Sequence, residues 1–179
     1  MFEEFASEFG VPTSVPLEIL AVRLIGAAVI GGVIGLEREW RAMPAGLRTH
    51  MLVALAACVF TIVTGEIVRS DVLIGEAVQA DPVRVIEAVT AGVAFLAAGA
   101  IIQARGRVRG LTTGAGMWLA GALGVAVGLG YWVVAGIATL IGLVINVLLR
   151  GVEKRLVRGR TDSGEIVEGE LVDSDREER

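Results

Sequence analysis

The sequence predicts an all-α fold, a polytopic bundle of five transmembrane helices. Three observations carry that expectation. Of 179 residues, 54% are hydrophobic and the mean hydropathy is +0.71. There are 24 glycines besides, a combination that closely packed membrane helices need because small residues let backbones approach. The charges, formally −4 in sum, gather at the ends and in short connections between apolar runs.

A spanning helix takes about 20 mostly apolar residues, each rising about 1.5 Å through a core of about 30 Å. Leu17–Leu36 is the first such run, interrupted by Glu18 and Arg23; Ser14 is placed to cap it and Pro16 suits its first turn. Met51–Val68 is the second, with Glu66 near its end. The third extends from Pro82 to about Gln103, with Asp81-Pro82 as its start signal: the carboxylate accepts from free amides and proline lacks the amide that would be orphaned. Leu111–Leu149 has no charged residue. A single helix of that length would reach roughly 58 Å, so it must be two spans, broken at Gly128-Leu129-Gly130-Tyr131-Trp132, where glycine permits a turn and the aromatics favour the interface.

Lysine and arginine set the expected orientation. Arg38, Arg41 and Arg48 lie in the first connection and Arg105, Arg107 and Arg109 in the third, and five basic residues follow the last span. The second and fourth connections are not basic in net character. The positive-inside rule then predicts a multi-pass protein with the N-terminus outside and the C-terminus cytoplasmic. Three segments result: residues 1–16, where Phe2, Phe5 and Phe9 have the spacing of an interfacial helix; residues 17–149, the five-helix domain; and residues 150–179, a charged tail. The tail opens with five basic and one acidic side chain at 150–160, then turns acidic, a composition expected to be largely disordered.

Small residues recur at fourfold spacing on several spans. Gly116, Ala120, Gly124 and Gly128 form one such stripe and Gly31 and Gly35 belong to another. Both read as helix contacts, within one chain or in a homo-oligomer.

The polar residues fall into two layers. At the outer end, Arg23, Glu66, Asp81, Arg84 and Glu87 share a depth range. A charge inside the bilayer costs about 2.5–3.5 kcal/mol on insertion scales and needs a partner. Arg23 is expected to pair with Glu66 or Glu87, and Arg84 with Glu87 three residues on. Such a layer is either a structural ion pair or part of a polar pathway. At the inner end, Glu37, Arg38, Arg48, Thr49 and His50 flank a connection longer than a tight hairpin needs, carrying Pro44 and Gly46. These residues are either topogenic charges or a functional loop, with Arg48 or Arg38 compensating Glu37 at a helix C-terminus.

One cysteine, Cys58, and one histidine, His50, offer no multi-cysteine cluster and make zinc or iron chemistry poor matches; which metal, if any, is bound is left open. No serine–histidine–acid pattern or phosphate loop is present. The expectation is a protein that is not an enzyme, has no cofactor and binds no nucleic acid. Its partners are the lipid bilayer and other membrane proteins.

Certain words of the sequence are more specific: Gly35-Leu36-Glu37-Arg38-Glu39, then Ala45-Gly46-Leu47-Arg48-Thr49-His50, Gly92-Val93-Ala94-Phe95-Leu96-Ala97-Ala98-Gly99, and Arg109-Gly110-Leu111-Thr112-Thr113 with Trp118. In order and spacing they resemble the transmembrane domain of the MgtC/SapB family of bacterial inner-membrane proteins, over roughly Leu17–Leu149. That resemblance implies a regulator of magnesium or ion homeostasis under low-magnesium stress, acting through contacts with other membrane proteins. The alternative is a small ion or solute transporter or channel.

Overall fold

The computed structural model describes residues 13–69, 83–104 and 107–148. Residues 1–12, the connection 70–82 with Asp81 and Pro82, and the tail 150–179 lie outside the described residues, so the expected interfacial helix, charged tail and Asp81 cap do too. The chain divides into two units, Met1–Leu140 and Ile141–Arg179. Of the second, only the last turns of a helix, to Leu148, are described.

Among the described residues the fold is all-helical but for one short hairpin. Helix α1 is Leu17–Glu39 and α2 is Leu47–Arg69; α3 is Val83–Ala100 and α4 is Leu111–Leu129. These four are long and apolar enough to cross a membrane. Helix α5, Trp132–Leu148, is apolar and 17 residues long, roughly 25 Å and at the short end of a span. Strands β1 (Ile102–Ala104) and β2 (Arg107–Arg109) join α3 to α4, antiparallel with Ile102 opposite Arg109.

Local chemistry accounts for the boundaries. Glycine at 130 takes φ +86°, closing α4 with a Tyr131 N–H to Ala126 O bond of 2.8 Å and a Gly130 N–H to Val127 O bond of 2.9 Å. This is the left-handed stop that ends one span and permits the next. The third span ends at Ala100 rather than near Gln103, although its apolar run continues. Gly110, at φ +92°, presses against the Ala100 carbonyl so closely that a Cβ there would overlap it; the chain must therefore double back at Ala100. Helix α1 is preceded by Pro16 as its N-cap, with no side-chain cap. Ser14 bonds elsewhere, as described below.

Within the first unit, α1, α2 and α4 form a seam, and α3 leans chiefly on α4. The seam is made by glycines. A Cβ on Gly31 would lie 2.8 Å from Ala54 Cβ, and one on Gly35 would lie 2.8 Å from Leu47 Cα. Along α4, Gly116, Ala120, Gly124 and Gly128 are all buried. Gly116, Gly124 and Gly128 abut His50, Ala54 and the Cys58–Thr61 turn of α2 in register. Ile34, Leu123 and Val127 fill the space between the helices.

Candidate functional site at the α1–α2 loop

Helix α1 continues a turn beyond Leu36, so Glu37 and Arg38 sit on its last turn rather than after it. The Glu37 carboxylate meets two guanidinium groups: Arg38 Nε lies 3.3 Å from Oε2, and Arg41 Nε pairs with Oε1. All three lie largely out of solvent, with Glu37 and Arg38 side chains 11% and 8% exposed. The negative charge at a helix C-terminus is thereby compensated by its own chain. Arg48 is exposed on α2 and Thr49 is half-buried. The partner of Glu37 is thus Arg41, four residues on, together with Arg38, and not Arg48.

Glu39 bridges the loop differently. Its Oε2 accepts the Leu47 N–H at 3.0 Å and so caps the first turn of α2 from the preceding helix. Three residues into α2, His50 is wholly buried. Its Nδ1 donates to Gly46 O at 2.8 Å; a carbonyl only accepts, so the proton of the neutral ring is on Nδ1, and in that form Nε2 presents a lone pair. That lone pair is turned toward α4. A Cβ on Gly116 would lie 3.0 Å from Nε2 and 3.6 Å from Arg38 Nε, so a residue without a side chain is what lets the imidazole and guanidinium share this space.

Thr113 stands one turn before Gly116 on the same helix and is also wholly buried. Among the described residues neither Thr113 Oγ1 nor His50 Nε2 has a hydrogen-bond partner. Buried polar atoms left in this state carry a desolvation cost, which marks the spot as one where packing was not optimised for stability alone. The arrangement offers a compensated carboxylate, a basic nitrogen and a hydroxyl at the meeting of three helices. Among the described residues no group of three or more His, Cys, Asp or Glu side chains is placed to hold a metal ion.

The opposite end is organised around Arg23. Its Nη1 donates to Gly128 O at 2.7 Å, so the charge is met by the carbonyl end of α4, where the helix dipole is negative. Glu66 accepts from Ser14 N–H at 2.6 Å and Ser14 Oγ at 2.8 Å, and Arg69 Nη1 approaches it at 4.0 Å. Arg23, Glu66 and Arg69 line one cavity of about 40 Å³, with no ion pair between Arg23 and Glu66. Arg84 and Glu87 are exposed on α3. The outer residues therefore do not form one cluster, and Asp81 lies outside the described residues.

Reasoning from the sequence missed Arg41, Thr113 and Ser14. For Arg41 the signal was present, since Glu37 and Arg41 have the i,i+4 spacing of a helical pair. Thr113 could have been found from its place three residues before Gly116. No signal pointed to Ser14.

The MgtC family's sequence profile matches residues 24–155. The chain belongs to the MgtC family. It is accordingly a membrane protein, and the inner site from Glu37 to Thr113 lies wholly within the MgtC match. Protein MgtC of Brucella abortus is 40% identical over 135 residues, which is 75% of this chain and 53% of that protein. Protein MgtC of Salmonella typhimurium is 38% identical over 135 residues, 75% of this chain and 54% of the relative. An Escherichia coli protein named "Putative magnesium transporter YhiD" is 41% identical over 104 residues, 58% of this chain and 48% of that one. The chain thus spans about half the length of these MgtC relatives. No solved structure matches it.

Proposed function

We propose that this chain is a regulator of magnesium or ion homeostasis that acts in a bacterial inner membrane by contact with other membrane proteins. In this reading it catalyses no reaction, its N-terminus is outside and its C-terminus is cytoplasmic. The observation that carries it is the packing between the two polar ends of the seam. Between Arg23 and Arg38 the buried positions of α1 are Ala27, Gly31, Gly32, Ile34 and Gly35. At the same depths the buried positions of α2 include Val53, Ala54, Ala57 and Cys58 and those of α4 include Ala120, Leu123, Gly124 and Val127, with Gly31 against Ala54 and Gly124 against the Ala54 backbone. These side chains are apolar or nearly so, and the backbones touch. A hydrated cation would find no ligands there, because hard cations need several oxygen donors. Close packing of this kind supports a contact-based role over conduction through one copy.

Transport is the second reading, favoured by the name of the Escherichia coli relative and by charged groups at both ends of the seam. Purified full-length protein in liposomes loaded with a magnesium-sensitive dye separates the two. The regulatory reading expects uptake equal to protein-free vesicles, with native membrane proteins recovered on co-purification. Magnesium uptake that scales with protein content overturns it. Reporter fusions after Gly10 and Arg160 test the orientation, and finding both ends on one side would remove a span.

A further inference from the structure

The cavity at the Arg23 end of the seam carries more positive charge than its own wall neutralises. It holds about 40 Å³, and its charged lining is Arg23, Arg69 and Glu66. Two cations against one carboxylate leave an excess of one. A single water needs roughly 10–15 Å³ of such space, so a small ion fits. Val15, Leu20, Ile62 and Leu129 make most of the remaining wall apolar.

The carboxylate is already engaged. Glu66 accepts from Ser14 N–H at 2.6 Å and from Ser14 Oγ at 2.8 Å, and Arg69 Nη1 stands 4.0 Å from it. Arg23 is in a different position. Among the described residues it has no carboxylate partner. Its Nη1 donates to Gly128 O at 2.7 Å, and Nη2 has no acceptor among the described residues. The carbonyl end of a helix supplies about half a negative charge, which does not neutralise a whole guanidinium charge within a spanning segment. Gly130 keeps the group in place by having no side chain, since a Cβ there would lie 2.9 Å from Nη2.

We propose that this cavity binds one small anion of halide size, with chloride as the abundant example. The Arg23 guanidinium is its principal donor, and Arg69 adds positive charge from another part of the wall. A water molecule in the same place would leave the excess charge uncompensated. A multiply charged oxyanion suits the cavity poorly, because Glu66 repels it and the apolar wall offers its several oxygens no donors. A monatomic anion needs few donors and tolerates apolar neighbours. This site goes beyond the regulatory reading and does not depend on it.

The test uses the full chain in neutral detergent, at constant ionic strength, as chloride replaces gluconate, an anion too large for the cavity. A ligand that binds only the folded state raises the melting temperature. The expected result is a saturating rise of a few degrees, with protein-dependent broadening of the chloride magnetic resonance that bromide relieves and sulfate does not. Arg23→Gln, whose amide can still donate to Gly128 O, should lose both signals. Arg84→Gln, on α3 and outside the cavity, should keep them. Glu66→Gln retains an acceptor for Ser14 and removes the repelling charge, so it should bind chloride several-fold more tightly; a purely structural Glu66 would not give that gain. A response that fails to saturate, or that persists in Arg23→Gln, overturns the site. Unchanged or weaker binding by Glu66→Gln overturns the placement of the anion in this cavity. If phosphatidylglycerol added in gluconate gives the same rise and removes the chloride response, a lipid phosphate is the occupant and the halide site is overturned.

Discussion

The α1–α2–α4 seam and helix α3 solve the problem of packing in lipid in opposite ways. In the seam, glycine is spent on backbone approach: Gly31, Gly35, Gly124 and Gly128 all stand where a Cβ would collide with the neighbouring helix. On α3, Gly92 and Gly99 stand where a Cβ would meet nothing. Half-open apolar grooves flank α3 on both sides, one between it and α4 and one between it and α2. The same residue type therefore reports a finished contact in one place and an unfilled one in the other. Lipid supplies no hydrophobic drive between helices, so tightness must come from dispersion at short range. The seam has it, and α3 has it on a single face.

The largest effect should come from placing one bulky side chain in each region. Gly124→Leu would drive its Cβ into the Ala54 carbonyl and separate two helices, at a cost of about 3 kcal/mol or more. Gly92→Leu meets open space, and in detergent dilute enough to keep the chain monomeric its melting temperature should match or exceed the parent's. Equal losses for the two variants would break the comparison.

Charge gives the next contrast. Glu37→Ala leaves the buried Arg38 and half-buried Arg41 without their carboxylate. Loss of a partner from a largely buried pair is costly, and about 2 kcal/mol is expected here. Arg48→Ala and Glu87→Ala remove exposed side chains, and each should change monomer stability by less than about 0.5 kcal/mol. Under the proposed function, Glu37→Gln, which keeps the shape and removes the charge, should abolish the growth benefit at low magnesium where Arg48→Ala retains it. These are measured as detergent melts and as growth at matched membrane levels. An Arg48→Ala defect equal to that of Glu37→Ala would return Arg48 to the site.

Spans and their order were legible because hydropathy and length are properties of a single segment. The α4–α5 break was legible too, since Gly130 and the aromatics after it speak for themselves. What escaped were interactions whose partner is not a residue type. Arg23 was assigned a carboxylate partner because a search among side chains offers only carboxylates, yet the group that meets it is a carbonyl at the end of α4. Ser14 looked like a cap for its own helix and instead bonds Glu66, 52 positions away. The end of α3 escaped for a similar reason, as the close approach of Gly110 to Ala100 is tertiary. Gly116 read as a packing residue; that it also makes room for His50 and Arg38 required coordinates.

Two alanine substitutions sharpen the difference between filled and empty glycine positions by giving opposite signs. Gly116→Ala places a methyl 3.0 Å from His50 Nε2, so the imidazole must shift; with the gain in helix propensity set against it, a loss of about 1 kcal/mol is expected. Gly99→Ala adds a methyl in open space and should raise monomer stability by up to about 0.8 kcal/mol. Two losses, or two gains, would mean that the distinction does not govern stability.

The smallest expected effect concerns the loop that ties the seam's first two helices together. Ala42 is exposed and takes φ 51°, a left-handed conformation that costs an L-residue with a Cβ roughly 1–2 kcal/mol. Its carbonyl neighbours explain why the chain accepts it. Trp40, Arg41 and Ala42 each donate a backbone bond into the last turn of α1, to Leu36, Arg38 and Glu39, and Met43 N–H then returns to Arg38 O at 3.2 Å. That turn carries Arg41 back to Glu37 and leaves Glu39 free to cap Leu47, so the strained residue is where the loop reverses to build the inner site. Ala42→Gly removes the steric cost, but it widens the unfolded ensemble by about 0.4–1 kcal/mol. The net result should be a gain of roughly 0.5 kcal/mol, read as a small rise in melting temperature. Function at low magnesium should be unchanged, because no atom of the site is altered. A loss of stability instead would show that the Ala42 methyl makes a contact worth more than the strain, and the loop would then belong with the close-packed seam rather than with the surface.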